Sequence, residues 1–354
     1  MNEFFNFFKD FQIIFKKPKI VIVTGEGRVC AKEAIKCTLK PYFKIGQDIL
    51  ILDSELKKEE EIKRLKFLIK NSQLPILVVT HVGEIPFDKD FFAGEIEKTY
   101  EIRKLAKALP YFSYLVLNFD DETVREIKDE TNLNEITFGF QKGSDFRAEE
   151  IRLNKGINFK VSYKGNIVPF WIEGTFGKEQ IYSGLCAIAV GTILGLNLVE
   201  ICQSLKNYSS IPGKMKLIEG IKNSWIIDDT DSVTLFSMIE AIEILGKIDW
   251  AKRKIAVLGD IIGIGKYTIE AHEAIGERIV KNADLLFTFG QRAKFISQKA
   301  FERGMNSEKI FHFNTIKEGI SKLKDEIKEG DLILVDGSRE MKMKEIVDEI
   351  KKIL

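Results

Sequence analysis

At 354 residues, with 45% hydrophobic and 30% charged side chains, the chain has the composition of a soluble globular protein and the length for two ordinary domains with sizeable cores. A net charge of +1 gives no electrostatic case for nucleic acid. The four cysteines, Cys30, Cys37, Cys186 and Cys202, follow no metal or disulfide spacing and read as small buried residues in a reducing compartment, and three histidines argue against an all-histidine metal cage.

The chain starts with an aromatic stretch in which Phe4, Phe5, Phe7, Phe8, Phe11 and Phe15 are interrupted by Lys9 and Asp10. Charge inside the apolar run excludes a signal peptide, and the stretch is too short to span a bilayer. Phe4, Phe8, Phe11 and Phe15 share one helical face, which predicts an amphipathic helix over residues 1–17 that docks on the body or, as the sharper option, lies in a membrane interface. Docking is the preferred reading.

Lys19 to Thr24 is a β-branched strand, Gly25-Glu26-Gly27-Arg28-Val29 a glycine turn, and Cys30 to Leu39 a helix with an apolar stripe of Ala31, Ala34, Ile35 and Leu39. Strand, glycine turn and helix form the context of a phosphate loop, because amides at a helix start point at the anion. That makes Gly25, Gly27 and Arg28 candidate cofactor-binding residues. A phosphate loop also needs a Lys on the terminal phosphates and a Ser or Thr hydroxyl on the metal, and Arg28 and Val29 stand in those places.

A strand at Ile49 to Leu52, a charged helix from about Lys57 to Lys70, and strands at Pro75 to Thr80 and Tyr114 to Asn118 continue a parallel sheet, with Asp120-Asp121 after the last. Phe159 to Tyr163 and Ile167 to Ile172 alternate around the Lys164-Gly165-Asn166 turn as a hairpin. Helices are predicted from about Glu179 to Leu194 and from Leu198 to Leu205. Pro212-Gly213 then breaks the helical pattern, and Trp225 to Ile227 reads as a buried parallel strand whose carboxyl end carries Asp228 and Asp229. Ligands of open α/β sheets bind outside such ends, so this pair would hold a cation or amine, unless it merely caps the helix that follows from Ser232 to Leu245. Regular strand and helix alternation to Leu354 predicts a doubly wound domain. His272 reads as a surface or capping residue, and His312, between two phenylalanines in a strand, as core.

The order Pro212-Gly213-Lys214-Met215, then Ile227-Asp228-Asp229-Thr230, then Ser237-Met238 resembles the joint between the central and carboxyl-terminal domains of the Mur ligases, ATP-dependent ligases that build the peptide of bacterial peptidoglycan. Val257-Leu258-Gly259-Asp260, Gly263 to Gly265, His272 with Gly276, and Gly330 to Arg339 match in register. The resemblance covers the chain from about Lys17 onward and is nearest the branch that adds D-alanyl-D-alanine.

It implies an α/β chain with a phosphate-loop-type central domain at 18–211 and a Rossmann-like doubly wound domain at 212–354. ATP and Mg2+ would be cofactors, a nucleotide or wall-precursor small molecule the partner, with a protein partner also open. The setting would be cytoplasmic, with no transmembrane segment. Asp53 falls at the family's catalytic acid, Lys214 at its basic joint residue, Asp228 and Asp229 at its acidic pair, and Ser183, with Glu179 and Gln180, near the adenine. No metal-ligand set is assigned.

Departures are concentrated where the chemistry lies: Arg28 for Lys, Val29 for Thr, Pro86 for a metal-binding His, Ile102 for a carbamoylated Lys, Ser183 for Asn, Lys214 for Arg and Asp336 for Lys. Asp231-Ser232 replaces Tyr-Asn and Thr234-Leu235 replaces Asn-Pro. The segment from Leu39 to Asp48 is too short for the family's substrate loop, and the amino-terminal domain that would bind the uridine nucleotide is not matched. Losing one charge-stabilising contact typically costs on the order of a hundredfold in rate. A non-catalytic nucleotide- or precursor-binding protein is therefore placed slightly ahead of a divergent working ligase, and a structural or membrane-surface adaptor last.

Overall fold

A computed structural model describes residues 14–86, 88–231 and 233–352. The aromatic positions from Phe4 to Phe11 lie outside these residues. The chain gathers into two compact units, one of Met1–Ile151, Asn158–Ile172 and Lys178–Tyr208, the other of Arg152–Ile157, Glu173–Gly177 and Ser209–Leu354.

The sheet of the first unit runs β2-β1-β3-β4-β5-β6-β7-β8, formed by Lys19–Thr24 (β1), Ile49–Ser54 (β2), Pro75–Val79 (β3), Tyr114–Asn118 (β4), Asn134–Gly139 (β5), Phe146–Leu153 (β6), Gly156–Tyr163 (β7) and Asn166–Glu173 (β8). Pairings from β2 through to β6 are parallel. The β-branched runs Ile20 to Val23 and Ile76 to Val79 are covered on both faces, which is why they read as unbroken apolar stretches. Two-residue turns join β6 to β7 and β7 to β8, a spacing that only antiparallel neighbours allow. Lys164 and Gly165 both adopt positive φ in the second, as the twist of a tight hairpin requires.

Helix α1, Arg28–Leu39, buries Cys30, Ala31, Ala34, Ile35 and Leu39. It packs against α4, Lys178–Ile193, a helix buried on all sides from Gln180 to Gly191. Between them in sequence, α2 (Glu59–Lys70) opens on three glutamates and closes on Lys70, matching the helix dipole, and α3 (Ile96–Lys107) turns Ile102 and Leu105 into the core. Ile102 is thus fixed inward, while Lys98 and Lys104 pair with Glu95 and Glu101 on the solvent side. Helix α5, Leu198–Leu205, starts from a capping box between Asn197 and Glu200.

The second unit has a sheet in the order β13-β12-β11-β14-β10-β9, built from Lys216–Glu219 (β9), Trp225–Asp229 (β10), Arg253–Gly259 (β11), Leu285–Phe289 (β12), Ile310–Phe313 (β13) and Asp331–Asp336 (β14). All neighbours are parallel except β9, which runs antiparallel along β10. Helices α6 (Leu235–Lys247), α7 (Thr268–Ile279), α8 (Lys294–Glu302), α9 (Ile316–Glu326) and α10 (Lys344–Ile350) complete a doubly wound unit with its own core around Val257, Phe287, Ile333 and Val347.

Several sequence expectations need correction. Helix α6 begins at Leu235 rather than Ser232, because Thr234 accepts from the Ser237 amide and Ser237 accepts from the Thr234 amide. The reading of Asp228 and Asp229 as caps for that helix therefore fails. The two histidine readings are exchanged as well. His272 is fully buried, its Nε2 accepting from the Ile261 amide and its Nδ1 lying 2.6 Å from the Thr268 carbonyl. His312 is exposed on β13, the edge strand, with only Nδ1 engaged by Thr288 at 3.0 Å.

Candidate functional site

The strand order of the first unit's sheet changes side between β1 and β3, and at such a switch point the carboxyl ends of neighbouring parallel strands open a crevice. Gly25 to Arg28 turns there. Gly25 has φ 97°, and a Cβ would lie 2.5 Å from Thr80 Oγ1 and 2.6 Å from the His81 carbonyl, so only glycine fits. The Glu26 amide donates to the His81 carbonyl at 2.7 Å, and Thr80 donates to the Thr24 carbonyl at 3.0 Å. Gly27 precedes α1 with φ 70° and no side chain caps that helix start.

These features build a bare helix amino terminus, yet the cations nearest it, Arg28 and Lys32, are already paired. Arg28 turns toward β2, where its guanidinium pairs with Glu55, lies 3.9 Å from Asp53 and reaches the Gly25 carbonyl at 3.4 Å. Lys32, one turn along α1, places its ammonium 2.6 Å from Asp53. Lys57, and after it Arg28, hold the Glu55 carboxyl below its ordinary range. From α4, the Glu179 side chain comes so close that a Cβ on Gly27 would sit 2.9 Å from Glu179 Cγ, and Glu179 Oε1 is buried without a hydrogen bond. Ser183, one turn further, donates to the Glu179 carbonyl at 2.9 Å. Gly25, Gly27, Arg28 and Asp53 are thus brought together, and Ser183 is committed to its own helix.

Where a metal-binding His is expected at Pro86, an ammonium is found instead: Lys178 donates to the carbonyls of Pro86 (3.2 Å) and Lys89 and lies 3.2 Å from Asp90. No group of three or more His, Cys, Asp or Glu among the described residues could hold a metal ion. The donor set does not fit Mg2+, since the acid best placed to bind it, Asp53, is occupied by Lys32 and Arg28.

Beside this turn lies a buried polar cluster that sequence reading missed. Tyr182 donates to Asp120 at 2.9 Å, and Asp120 also accepts from the amides of Phe140 (2.7 Å) and Gln141 (3.0 Å). Burial nonetheless raises the Asp120 carboxyl above its usual range, against the lowering effect of those three donors. The one sequence signal was the Asp120-Asp121 pair. Asp121 has a different role, accepting from the amides of Thr123, Val124 and Val82.

In the second unit the acids at the end of β10 hold the turn before it. Asp228 accepts from the Gly213 amide (3.0 Å), Thr230 (2.6 Å) and Lys344 (2.9 Å), and Asp229 accepts from the Met215 amide at 3.2 Å. Gly213 has φ 79°, and its carbonyl accepts from the Asp231 amide. Lys214 lies 3.6 Å from Asp231, which also pairs with Arg339. Lys214, Asp228 and Asp229 are therefore neighbours, cross-braced by backbone bonds. Opposite Asp229 in the strand register stands Asp336, fully buried, with the Gly337 amide as its backbone donor. Burial first, and the Asp229 charge next, push its carboxyl well above the usual range.

A glycine turn at the switch point of the first unit's sheet, and an acidic strand end stapled to a Pro-Gly turn in the second, are features in which the chain resembles the Mur ligases. Residues 213–339 match the Mur ligase, glutamate ligase domain family. The UDP-N-acetylmuramoyl-tripeptide--D-alanyl-D-alanine ligase of Bacillus subtilis is 27% identical over 94% of this chain and 76% of its own. Among solved structures, MurF from Acinetobacter baumannii superposes with a TM-score of 0.76 at 19% identity, covering 96% of this chain and 78% of that one. MurF ligase from Thermotoga maritima in complex with ADP gives 0.74 at 19% identity, over 96% and 81%. The chain is MurF-like in sequence and has the Mur ligase fold. Among the described residues no helix is long and apolar enough to cross a membrane.

Proposed function

We propose that the chain serves peptidoglycan precursor assembly as a Mur ligase-like protein that has lost catalysis and acts by binding a nucleotide or a wall precursor. The observation that carries this reading is the internal neutralisation of the glycine turn, with Arg28 and Lys32 held by Glu55 and Asp53 and the Glu179 side chain against Gly27. A ligase of this class makes an acyl phosphate from ATP, so lysine and a divalent cation must face the phosphates. Val29 brings no oxygen to that place, and the nearby cations are engaged elsewhere. ATP binding, where it occurs, is proposed to be weak and independent of Mg2+.

A second reading, an active ligase that joins D-alanyl-D-alanine or a similar amine to a wall precursor, is favoured by the 27% identity maintained over 94% of the chain. Phosphate release from ATP separates the two. With a UDP-linked muramoyl tripeptide and D-alanyl-D-alanine present, we expect release at background. Robust, substrate-stimulated turnover would overturn the first reading in favour of the second. Calorimetry with ATP and with the precursor, each with and without Mg2+, tests the binding role, and an absence of heat from both ligands would remove it.

A further inference from the structure

The connection from β5 to β6 and the tip of the β7–β8 hairpin enclose an open basin of about 400 Å³ in the first unit, which shares no lining residue with the glycine turn. Its lining is polar. Lys142, Ser144, Asp145 and Arg147 come from the connection and the start of β6, and Ser162 and Lys164 from the hairpin. Three cations thus stand against one carboxylate, in a chain whose net charge is only +1. That carboxylate is committed, since Asp145 Oδ2 accepts from the Thr137 amide at 2.7 Å and from the Thr137 hydroxyl at 2.8 Å. Arg147 has one guanidinium nitrogen on Glu149, whereas Lys142 and Lys164 form no ion pair among the described residues.

Both loops are fixed by their own contacts. The Ser144 hydroxyl donates to the Gln141 carbonyl at 2.9 Å, and Gly143 turns with φ 113° over Phe119, where a Cβ would lie 3.1 Å from the ring Cζ. At the hairpin tip Tyr163 stacks on Phe146 with ring centroids 4.1 Å apart, and the Lys164 ammonium lies 5.1 Å from the Tyr163 ring centre. Donors held on pre-ordered loops save much of the ordering cost of binding.

We propose that this basin binds a phosphoryl group, carried by a soluble ester or by a lipid headgroup. A phosphoryl dianion matches what the lining supplies: two compact ammonium charges, the guanidinium N–H groups that Glu149 does not take, and the Ser162 hydroxyl. The polar lining disfavours an apolar ligand, and the surplus of positive charge disfavours a cation. A carboxylate carries half the charge of a phosphoryl dianion and is held more weakly by the same cations. The proposal stands apart from whether the glycine turn binds a nucleotide.

Calorimetry on the full chain at low ionic strength, with inorganic pyrophosphate as the probe, tests it. Wild type is expected to bind, and Lys142→Gln/Lys164→Gln to bind at least about tenfold more weakly, because two charge contacts are lost. Both lysines are exposed, so the double variant is expected to keep the wild-type Tm. Hydrogen exchange locates the probe: pyrophosphate is expected to slow exchange in residues 141–147 and 162–165. Slowing confined to residues 25–39 would overturn the proposal by making the glycine turn the binder. Equal affinity in the double variant, acetate bound as tightly as pyrophosphate, or no binding at all would overturn it as well. Flotation with vesicles of phosphatidic acid but not of phosphatidylcholine, lost in the double variant, would support the site with a headgroup as its source. Pyrophosphate binding without flotation would support it with a soluble ester as the source.

Discussion

Asp336 offers the sharpest test of the physical reasoning about the second unit. Its carboxyl is fully buried and stands opposite Asp229 in the β10 and β14 register, and the Gly337 amide and the Lys214 charge only partly offset that burial. An unfolded aspartate ionises near pH 4, whereas this one keeps its proton to higher pH in the folded chain. Folding therefore binds the proton more tightly. The sign follows: stability from this group is full below about pH 4 and is lost progressively as pH rises toward the folded value, at about 1.4 kcal/mol for each unit by which the two differ.

Asp336→Asn removes the ionisation and presents an amide that can donate to Asp229. Relief of an incompletely satisfied buried group contributes about 1–3 kcal/mol at neutral pH. For a unit of this size, that corresponds to a rise in Tm of roughly 2–10 °C. Thermal melts of wild type and variant from pH 4 to pH 8 should converge at the acid end and diverge at the neutral end, with the variant above. A variant that melts lower than wild type at pH 7, or a gap independent of pH, would refute the account of Asp336 as a strained, proton-retaining carboxyl.

Gly25→Ala should unfold the first unit or destabilise it by several kcal/mol, since the added methyl would meet Thr80 and His81 in a backbone conformation that alanine resists; near-normal stability in denaturant titration would contradict this. Thr234→Ala should cost about 1 kcal/mol through loss of the α6 cap, readable as an equal shift in a urea titration. Lys178→Met should speed proteolytic nicking within Glu84–Asp90 without changing the Tm of the second unit, because the ammonium holds the Pro86 and Lys89 carbonyls. Arg28→Lys with Val29→Thr should leave ATP turnover at background, as Asp53 stays engaged by Lys32 and position 86 remains proline; turnover in the double variant would contradict this.

Legibility in the sequence tracked locality. Buried parallel strands were readable from runs such as Ile20 to Val23, and the glycine turn from a pattern of five adjacent residues. Asp53 was placed just past the end of a strand but lies inside it, opposite Val23, because pairing with β1 extends β2 as far as Ser54. His312 failed because alternation within a strand does not reveal whether the strand is central or at an edge, and β13 is an edge. His272 failed because its partner is the Ile261 amide, in a loop reached only through folding. The Asp120 and Tyr182 bond joins residues 62 positions apart, and the Asp229 and Asp336 opposition needs the strand order itself. No window of sequence contains either.

The pairing of Lys32 and Arg28 with Asp53 and Glu55 also bears on how this chain can change over generations. Replacing Asp53 takes the carboxylate from Lys32 and in part from Arg28, so that single substitution is penalised even where a paired replacement is tolerated. Drift at positions 28, 32, 53 and 55 should therefore be correlated, with changes fixed in pairs. A variant in which Lys32 is to face an anion at this turn would have to release it from Asp53 first, so the step to an open turn passes through a less stable intermediate.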